Sequence, residues 1–256
     1  MKKIIHLSDL HVGYDHCLTA LNRIVTNMIY IKQPAADYVV VITGDLVEDA
    51  TVDGLYEQAL SEVNRLRAAG FTVLICPGNH DYGTGALGDK QYVARFAGVF
   101  LGSAAQVYPV VDVISDIAFI GLDTMAKELT WYDRIFAEGS LGKKQLSRLQ
   151  ALLTRPDIAS AQKRVVYMHH HPFDPRPLHL LKDSEELGET LQNKVDALLF
   201  SHNHDGKCWN GKWGIPVCFD AGSSTRKEID DPSKLSPHRV IDLSVSPAKV
   251  YDGGFH

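Results

Sequence analysis

The sequence predicts an α/β fold built on a parallel sheet covered by helices, and three observations carry that expectation. Three runs, Ile4 to Leu7, Tyr38 to Ile42 and Phe71 to Cys76, are apolar at consecutive positions, as strands buried on both faces are. Between them apolar residues recur at helical spacing, first at Leu18, Leu21, Ile24, Val25 and Met28, then at Val52, Leu55, Tyr56, Ala59, Val63 and Leu66. The resulting β-α-β-α-β order places the strands in one sheet with the helices packed against it.

Each element carries its own stop signal. The first helix ends before Pro34 and the second at Gly70, while Pro77-Gly78 breaks the third strand. Residues 83–105 are rich in Gly and Ala, with a short helix expected around Lys90 to Phe96. Strands near Val107–Val113 and Ile117–Leu122 lie close enough to pair antiparallel. A connection over 124–140 carries Trp131, Tyr132 and Phe136, and a helix follows from about Gly142 to Leu153. Strand Arg164–Met168 leads into His169-His170-His171-Pro172. Asp183 and Glu186 form a capping-box pattern for a helix ending near Asn193. Strand Val195–Phe200 leads into Ser201-His202-Asn203-His204, and short strands near Val217–Phe219, Val240–Leu243 and Ala248–Tyr251 follow. No internal repeat or linker interrupts the pattern, so a single domain over residues 1–256 is expected.

Composition narrows the function classes. A chain of 256 residues, 45% hydrophobic and 22% charged, can bury a full core. A formal net charge of -5, with no run of Lys and Arg, argues against nucleic-acid binding. Positive charge for handling a phosphate would then have to be local, and a metal ion is the obvious source. Cys17, Cys76, Cys208 and Cys218 form no Cys-x-x-Cys pair and read as reduced, mostly buried thiols. The apolar run near the start is shorter than the roughly 7–15 residues of a signal-peptide core. No stretch approaches the roughly 20 apolar residues of a membrane span. A cytoplasmic, membrane-free address is the expectation; the oligomeric state is not legible.

The chemistry gathers just beyond the strands. Asp9 and His11, and again His202 and His204, are two apart at strand ends, where extended chain would turn both side chains to one side. Asp45 follows Gly44, and its two carboxylate oxygens could bridge two ions about 3.5–4 Å apart. Asn79, in Gly78-Asn79-His80-Asp81, offers a neutral carbonyl oxygen. Mixed imidazole and carboxylate ligation suits Mn, Fe, Zn or Ni better than Mg or Ca. Taken singly, Asp9 reads first as a cap or turn residue, Asp45 at least as readily as a turn residue, and His202-x-His204 more often as a loop pair. Seven of the twelve histidines nevertheless fall in these stretches and in His169-His170-His171, which argues against coincidence. His6, inside the first strand, reads as a hydrogen-bonded core histidine.

In order, Asp9-Leu10-His11, Gly44-Asp45, Gly78-Asn79-His80-Asp81, His170-His171-Pro172 and His202-Asn203-His204 resemble the calcineurin-like metallophosphoesterase superfamily. The resemblance implies a four-layer α/β/β/α sandwich, two mixed sheets flanked by helices, with a dinuclear site at the sheet edges. It implies that Asp9, His11, Asp45 and His204 hold one metal, and Asp45, Asn79, His170 and His202 the other. His170 is chosen because relatives usually place this ligand two residues before Pro; His169 is the alternative. Ser201 departs from the Gly common in the family. Water held between two cations would ionise near neutral pH and attack phosphorus. His80 would protonate the leaving oxygen, with Asp81 orienting it.

The His-His-Pro stretch looks most like the cyclic nucleotide and glycerophosphodiester phosphodiesterase group, so a small phosphodiester is the expected substrate. Tyr82-Gly83 stand where that group often has Arg, which weakens a cyclic AMP reading. The alternatives are a phosphomonoesterase or nuclease on the same core, and a non-enzymatic binding scaffold. Tyr14, Tyr82, Trp131, Tyr132 and Phe173 to Arg176 are the expected substrate walls.

Overall fold

Alternation along the strands builds the layers. In β1 (Lys3–Leu7), Ile5 and Leu7 pack outward with helices α1 (Cys17–Ile29) and α2 (Leu55–Ala68), while Ile4 packs inward. Strand β2 (Tyr38–Thr43) repeats the pattern, with Tyr38, Val40 and Ile42 outward and Val39 and Val41 inward. The computed structural model describes residues 2–30, 34–85, 88–125, 139–176, 179–226, 238–245 and 248–253. Among them two five-stranded sheets form.

The first sheet adds β3 (Thr72–Cys76), β9 (His238–Asp242) and β10 (Lys249–Gly253), in the order β10-β9-β1-β2-β3. Strands β1, β2 and β3 are parallel, as the sequence order predicts, and β9 runs antiparallel to β1. The second sheet runs β4 (Val110–Ile114), β5 (Ile117–Gly121), β6 (Lys163–Tyr167), β7 (Ala197–Phe200), β8 (Val217–Asp220). Its β4–β5 pair is antiparallel and the rest parallel.

Ile4, Val39, Val41, Leu74, Phe119, Val165, Tyr167, Leu199 and Phe219 form one cluster drawn from both sheets. Helices α4 (Gly142–Leu153), α5 (Pro156–Ala159) and α6 (Ser184–Leu191) close the outer face of the second sheet, and α3 (Lys90–Phe100) joins α1 and α2 on the first. The result is the expected α/β/β/α sandwich. Burying one large apolar side chain is worth about 1.5–3 kcal/mol, against about 0.5–1.5 kcal/mol net for a hydrogen bond. Side-chain packing therefore holds the layers together more than sheet hydrogen bonding does.

Three expectations need correction. Helix α3 continues to Phe100, because Val93, Phe96, Ala97 and Phe100 form one apolar face against Tyr56. Val52 is about half exposed, since α2 starts only at Leu55. Asp183 sits at the N-terminus of α6 but makes no side-chain cap there. Its carboxylate instead accepts from the Leu141 and Gly142 amides and the Ser140 hydroxyl, fixing the start of α4. Buried His6 has Nε2 at 2.8 Å from Thr43 Oγ1, and burial takes its pKa down to about 3. All four cysteines are free, with only Cys208 exposed. No helix among the described residues is long and apolar enough to cross a membrane.

Candidate metal centre

The ends of β1, β2, β3, β6 and β7 meet at one edge of the sandwich. Five residues there have left-handed backbone: Asp9 (φ 50°), His11 (42°), Asp45 (51°), His202 (75°) and His204 (57°). Such conformations cost non-glycine residues of order 1–3 kcal/mol each and gather where a site demands them. Asp9 and His11, like His202 and His204, are therefore brought together by a turning backbone and not by the extended chain that their spacing suggested. Backbone hydrogen bonds fasten neighbouring turns, the Asp9 amide donating to Gly44 O at 3.0 Å and the His11 amide to Asp45 O at 2.9 Å. The turns touch so closely that a Cβ on Gly78 would lie 2.2 Å from Asp45 Oδ1, and one on Gly44 2.6 Å from Gly78 N. Only glycine fits at either place.

Two groups of donor atoms result. In the first, His204 Nε2 lies 2.9 Å from Asp9 Oδ1 and 3.4 Å from His11 Nε2. In the second, His169 Nε2 lies 3.0 Å from Asn79 Oδ1 and 3.2 Å from His202 Nδ1, with Asn79 Oδ1 3.1 Å from His202 Nδ1. Asp45 Oδ2 stands between them, 3.9 Å from His11 Nε2 and 3.3 Å from His169 Nε2. Asp45 Oδ1 accepts the His80 amide, so Oδ2 is the oxygen that faces both groups. Ligand bonds of about 2.0–2.2 Å at tetrahedral or right angles would set donor atoms about 3–3.5 Å apart. The observed separations cluster around that range, and the donor set suits a transition-metal cation.

Electrostatics point the same way. Burial disfavours charge on Asp9, yet its bond from His204 and the nearby His169 hold its carboxyl well below the usual range. Asp45 is buried too, and His169 holds it low. Burial would depress His169, but the Asp45 and Asp9 carboxylates raise it to about 10. Burial, together with the charge on His169, takes His202 down to about 3. Two buried carboxylates thus draw positive charge into the place a cation would take.

Further contacts orient the donors. His169 Nδ1 donates to the Thr43 carbonyl at 2.7 Å, which turns Nε2 to the site side as the atom that would bind a cation. Asn79 Nδ2 donates to Gly85 O at 3.0 Å, which turns Oδ1 inward. Ser201 Oγ, where the family commonly has Gly, bonds Asp9 Oδ2 and lies 3.0 Å from Gly222 O.

The three consecutive histidines divide their work. His169 meets Asn79, Asp45 and His202, and the expected ligand His170 also brings a ring nitrogen within 4.8 Å of donor atoms of His169 and His202. The place of His169 follows strand period: Val165 and Tyr167 face the inter-sheet cluster, and His169 continues that side. Read that way, the sequence itself held the signal. His170 Nδ1 lies 2.7 Å from Thr124 Oγ1, and its ring packs 4.4 Å from that of His202. His171 packs among Phe173, Phe200 and Trp209, its Nδ1 accepting the Phe173 amide at 3.0 Å.

Two assignments change. Asp81 does not hold His80: its carboxylate accepts the Leu46 and Gly78 amides at 2.8 and 2.9 Å, bracing one turn against the other. His80 Nδ1 donates instead to the Glu48 carbonyl at 2.6 Å. Tyr82 is core, with its hydroxyl donating to Asp123 Oδ2 at 3.1 Å, and is no substrate wall. Tyr14 is exposed, and Phe173 packs on Trp213. Asp174 pairs with Arg176 and accepts from Asn203, tying that loop to the His202 turn. Trp131 and Tyr132 lie outside the described residues.

No curated protein matches the sequence significantly. GAP50, described as the anchor in the inner membrane complex of Plasmodium, aligns with a TM-score of 0.58 at 14% identity, over 94% of this chain and 80% of its own. A candidate 5'-nucleotidase from Staphylococcus aureus aligns with a TM-score of 0.57 at 13% identity; 98% of this chain is covered, but only 52% of the other. The present chain thus spans about half the length of that protein. Phosphopantetheinyl hydrolase from Mycobacterium tuberculosis aligns with a TM-score of 0.53 at 14% identity, over 91% of this chain and 98% of its own. At such identities the likeness establishes the fold. A family model of calcineurin-like phosphoesterases matches residues 2–206, a span that includes every candidate ligand from Asp9 to His204. This chain therefore belongs to the calcineurin-like phosphoesterase family.

Proposed function

We propose that the protein hydrolyses a small phosphodiester at a site for two transition-metal ions. Asp9, His11, Asp45 and His204 would hold one ion, and Asp45, Asn79, His169 and His202 the other. The observation that carries this reading is Asp45 Oδ2, which faces His11 Nε2 and His169 Nε2 from between the two groups. When bound, such ions neutralise the anionic oxygens of the ester and make a nearby water acidic.

The chain's own residues do the rest. Asp9 and Asp45 supply the negative charge that retains cations. Thr43 and Gly85 carbonyls keep His169 and Asn79 turned inward. Because a carbonyl can only accept, Glu48 O keeps the proton on His80 Nδ1 and leaves Nε2 for proton exchange. Protonated at Nε2, His80 would deliver a proton to the leaving oxygen. Asp81 braces the turn that carries it.

A diester is favoured by the state of the arginines nearby. Arg226 is paired with Glu48 and Arg176 with Asp174, so both are already neutralised. That suits a monoanionic diester better than a dianionic monoester. The net charge of -5 supports a small substrate over nucleic acid, and a cytoplasmic location is part of the proposal.

The test is hydrolysis of bis(p-nitrophenyl) phosphate and p-nitrophenyl phosphate by metal-stripped protein after Mn2+ is returned. Mn2+-dependent turnover with the diester preferred is expected. Mn2+ uptake without diester turnover would overturn the reading in favour of a selective monoesterase or a scaffold.

A further inference from the structure

Glu48 touches both a candidate ligand and the candidate acid, though no motif announces it. Its Oε2 lies 2.8 Å from His11 Nδ1, close but off the line of a formed hydrogen bond, while its carbonyl accepts from His80 Nδ1. Its carboxylate is held in turn. Arg226 Nη2 lies 3.1 Å from both oxygens, and the guanidinium stacks 4.3 Å from the centre of the Tyr14 ring. The Arg226 amide donates to Ser223 Oγ at 2.9 Å, and that hydroxyl donates to Asp9 O at 2.9 Å. Arg226 lies outside the family match, which ends at residue 206, yet it reaches the turn that carries the first ligands.

We propose that Arg226 and Glu48 form a clamp that positions His11 and His80, with Tyr14 as its lid. The inference rests on the two-ion reading above. A carboxylate beside Nδ1 keeps the proton on that nitrogen, turns the Nε2 lone pair toward Asp9, Asp45 and His204, and makes the ring a better donor. Glu48 is partly exposed, with 27% of its side chain accessible, so nothing but its partners keeps it from swinging into water. Arg226 supplies a planar donor whose own freedom is limited by the Tyr14 ring. Arg226 and Glu48 are positioning residues in this scheme, since they act through the histidines.

The experiment titrates the metal-stripped full chain with Mn2+ and measures diester turnover for wild type, Glu48→Gln, Arg226→Met, Arg226→Lys and Tyr14→Leu. Glu48→Gln and Arg226→Met should weaken uptake of one of two Mn2+ ions by about 10-fold or more, leave the other within about 2-fold, and lower kcat more than they raise KM. Arg226→Lys should recover part of the loss, because it keeps the charge without the planar fork; Tyr14→Leu should show a smaller version. Wild-type uptake and kcat in Arg226→Met would overturn the clamp. So would equal weakening of both ions with a fall in melting temperature, the mark of general unfolding. A wild-type protein that takes up fewer than two ions would overturn the two-ion reading itself, and the clamp with it.

Discussion

The two sheets bring different chemistry to the shared edge. The first contributes Asp9, His11, Asp45 and Asn79: three oxygen donors and one imidazole. The second contributes His169, His202 and His204, all imidazoles. The oxygen half carries the negative charge, and His204 and His169 of the nitrogen half hold its two carboxylates ionised despite burial. The nitrogen half is neutral unless protonated, so its work depends on which ring nitrogen is left bare, as Thr43 O decides for His169. Each donor group takes members from both halves, so neither sheet alone presents a complete site. The apolar cluster between the sheets is therefore also what assembles the site.

If the halves meet at Asp45, Asp45→Asn should have the largest effect: both ions weaken and diester turnover falls by at least about 100-fold, beyond the usual cost of a supporting residue. Loss of a single ion, read by Mn2+ titration, would show that Asp45 serves one group only.

Within the nitrogen half, adjacent histidines should separate. His169→Gln is expected to remove one Mn2+ and cut turnover by about 100-fold, while His170→Gln costs about 10-fold or less through its packing on His202. The reverse order would return the ligand role to His170.

Metal loading should also stabilise the joined halves. At free Mn2+ about 100 times its dissociation constant, the gain is about 2.7 kcal/mol, or roughly 5–10 °C in melting temperature for a chain of this size. Calorimetric scans with and without chelator measure it. Coincident transitions would mean that the ions add nothing to the joint.

The smallest effect belongs to Ser201, which reaches from the nitrogen half to Asp9 of the oxygen half. Ser201→Gly should weaken Mn2+ uptake by up to about 10-fold without changing the number of ions bound. An unchanged titration would make the hydroxyl's contact incidental.

Much of this site was legible because buried strands and polar turns leave different marks. Asp9, His11, Asp45, Asn79, His202 and His204 all follow apolar runs, and the fold brings all six together. Where the strand reading was applied too far it failed: Asp9 with His11 and His202 with His204 converge through positive φ, which a two-residue spacing does not reveal. Asp81 looked like a partner of its neighbour His80 because adjacent residues invite pairing. Its carboxylate instead serves amides of both turns, including Leu46 in a stretch 35 residues away.

The sequence by itself determined the strands, the helices and the places where ligands could stand, since apolar periodicity and turn residues are local properties of the chain. The four layers were implied by the family resemblance. Tertiary structure alone decided which atoms face one another. Glu48 and Arg226 are 178 positions apart, Ser201 and Asp9 192. No local pattern encodes such contacts, because they arise only when the packing of two sheets brings distant strand ends to the same edge.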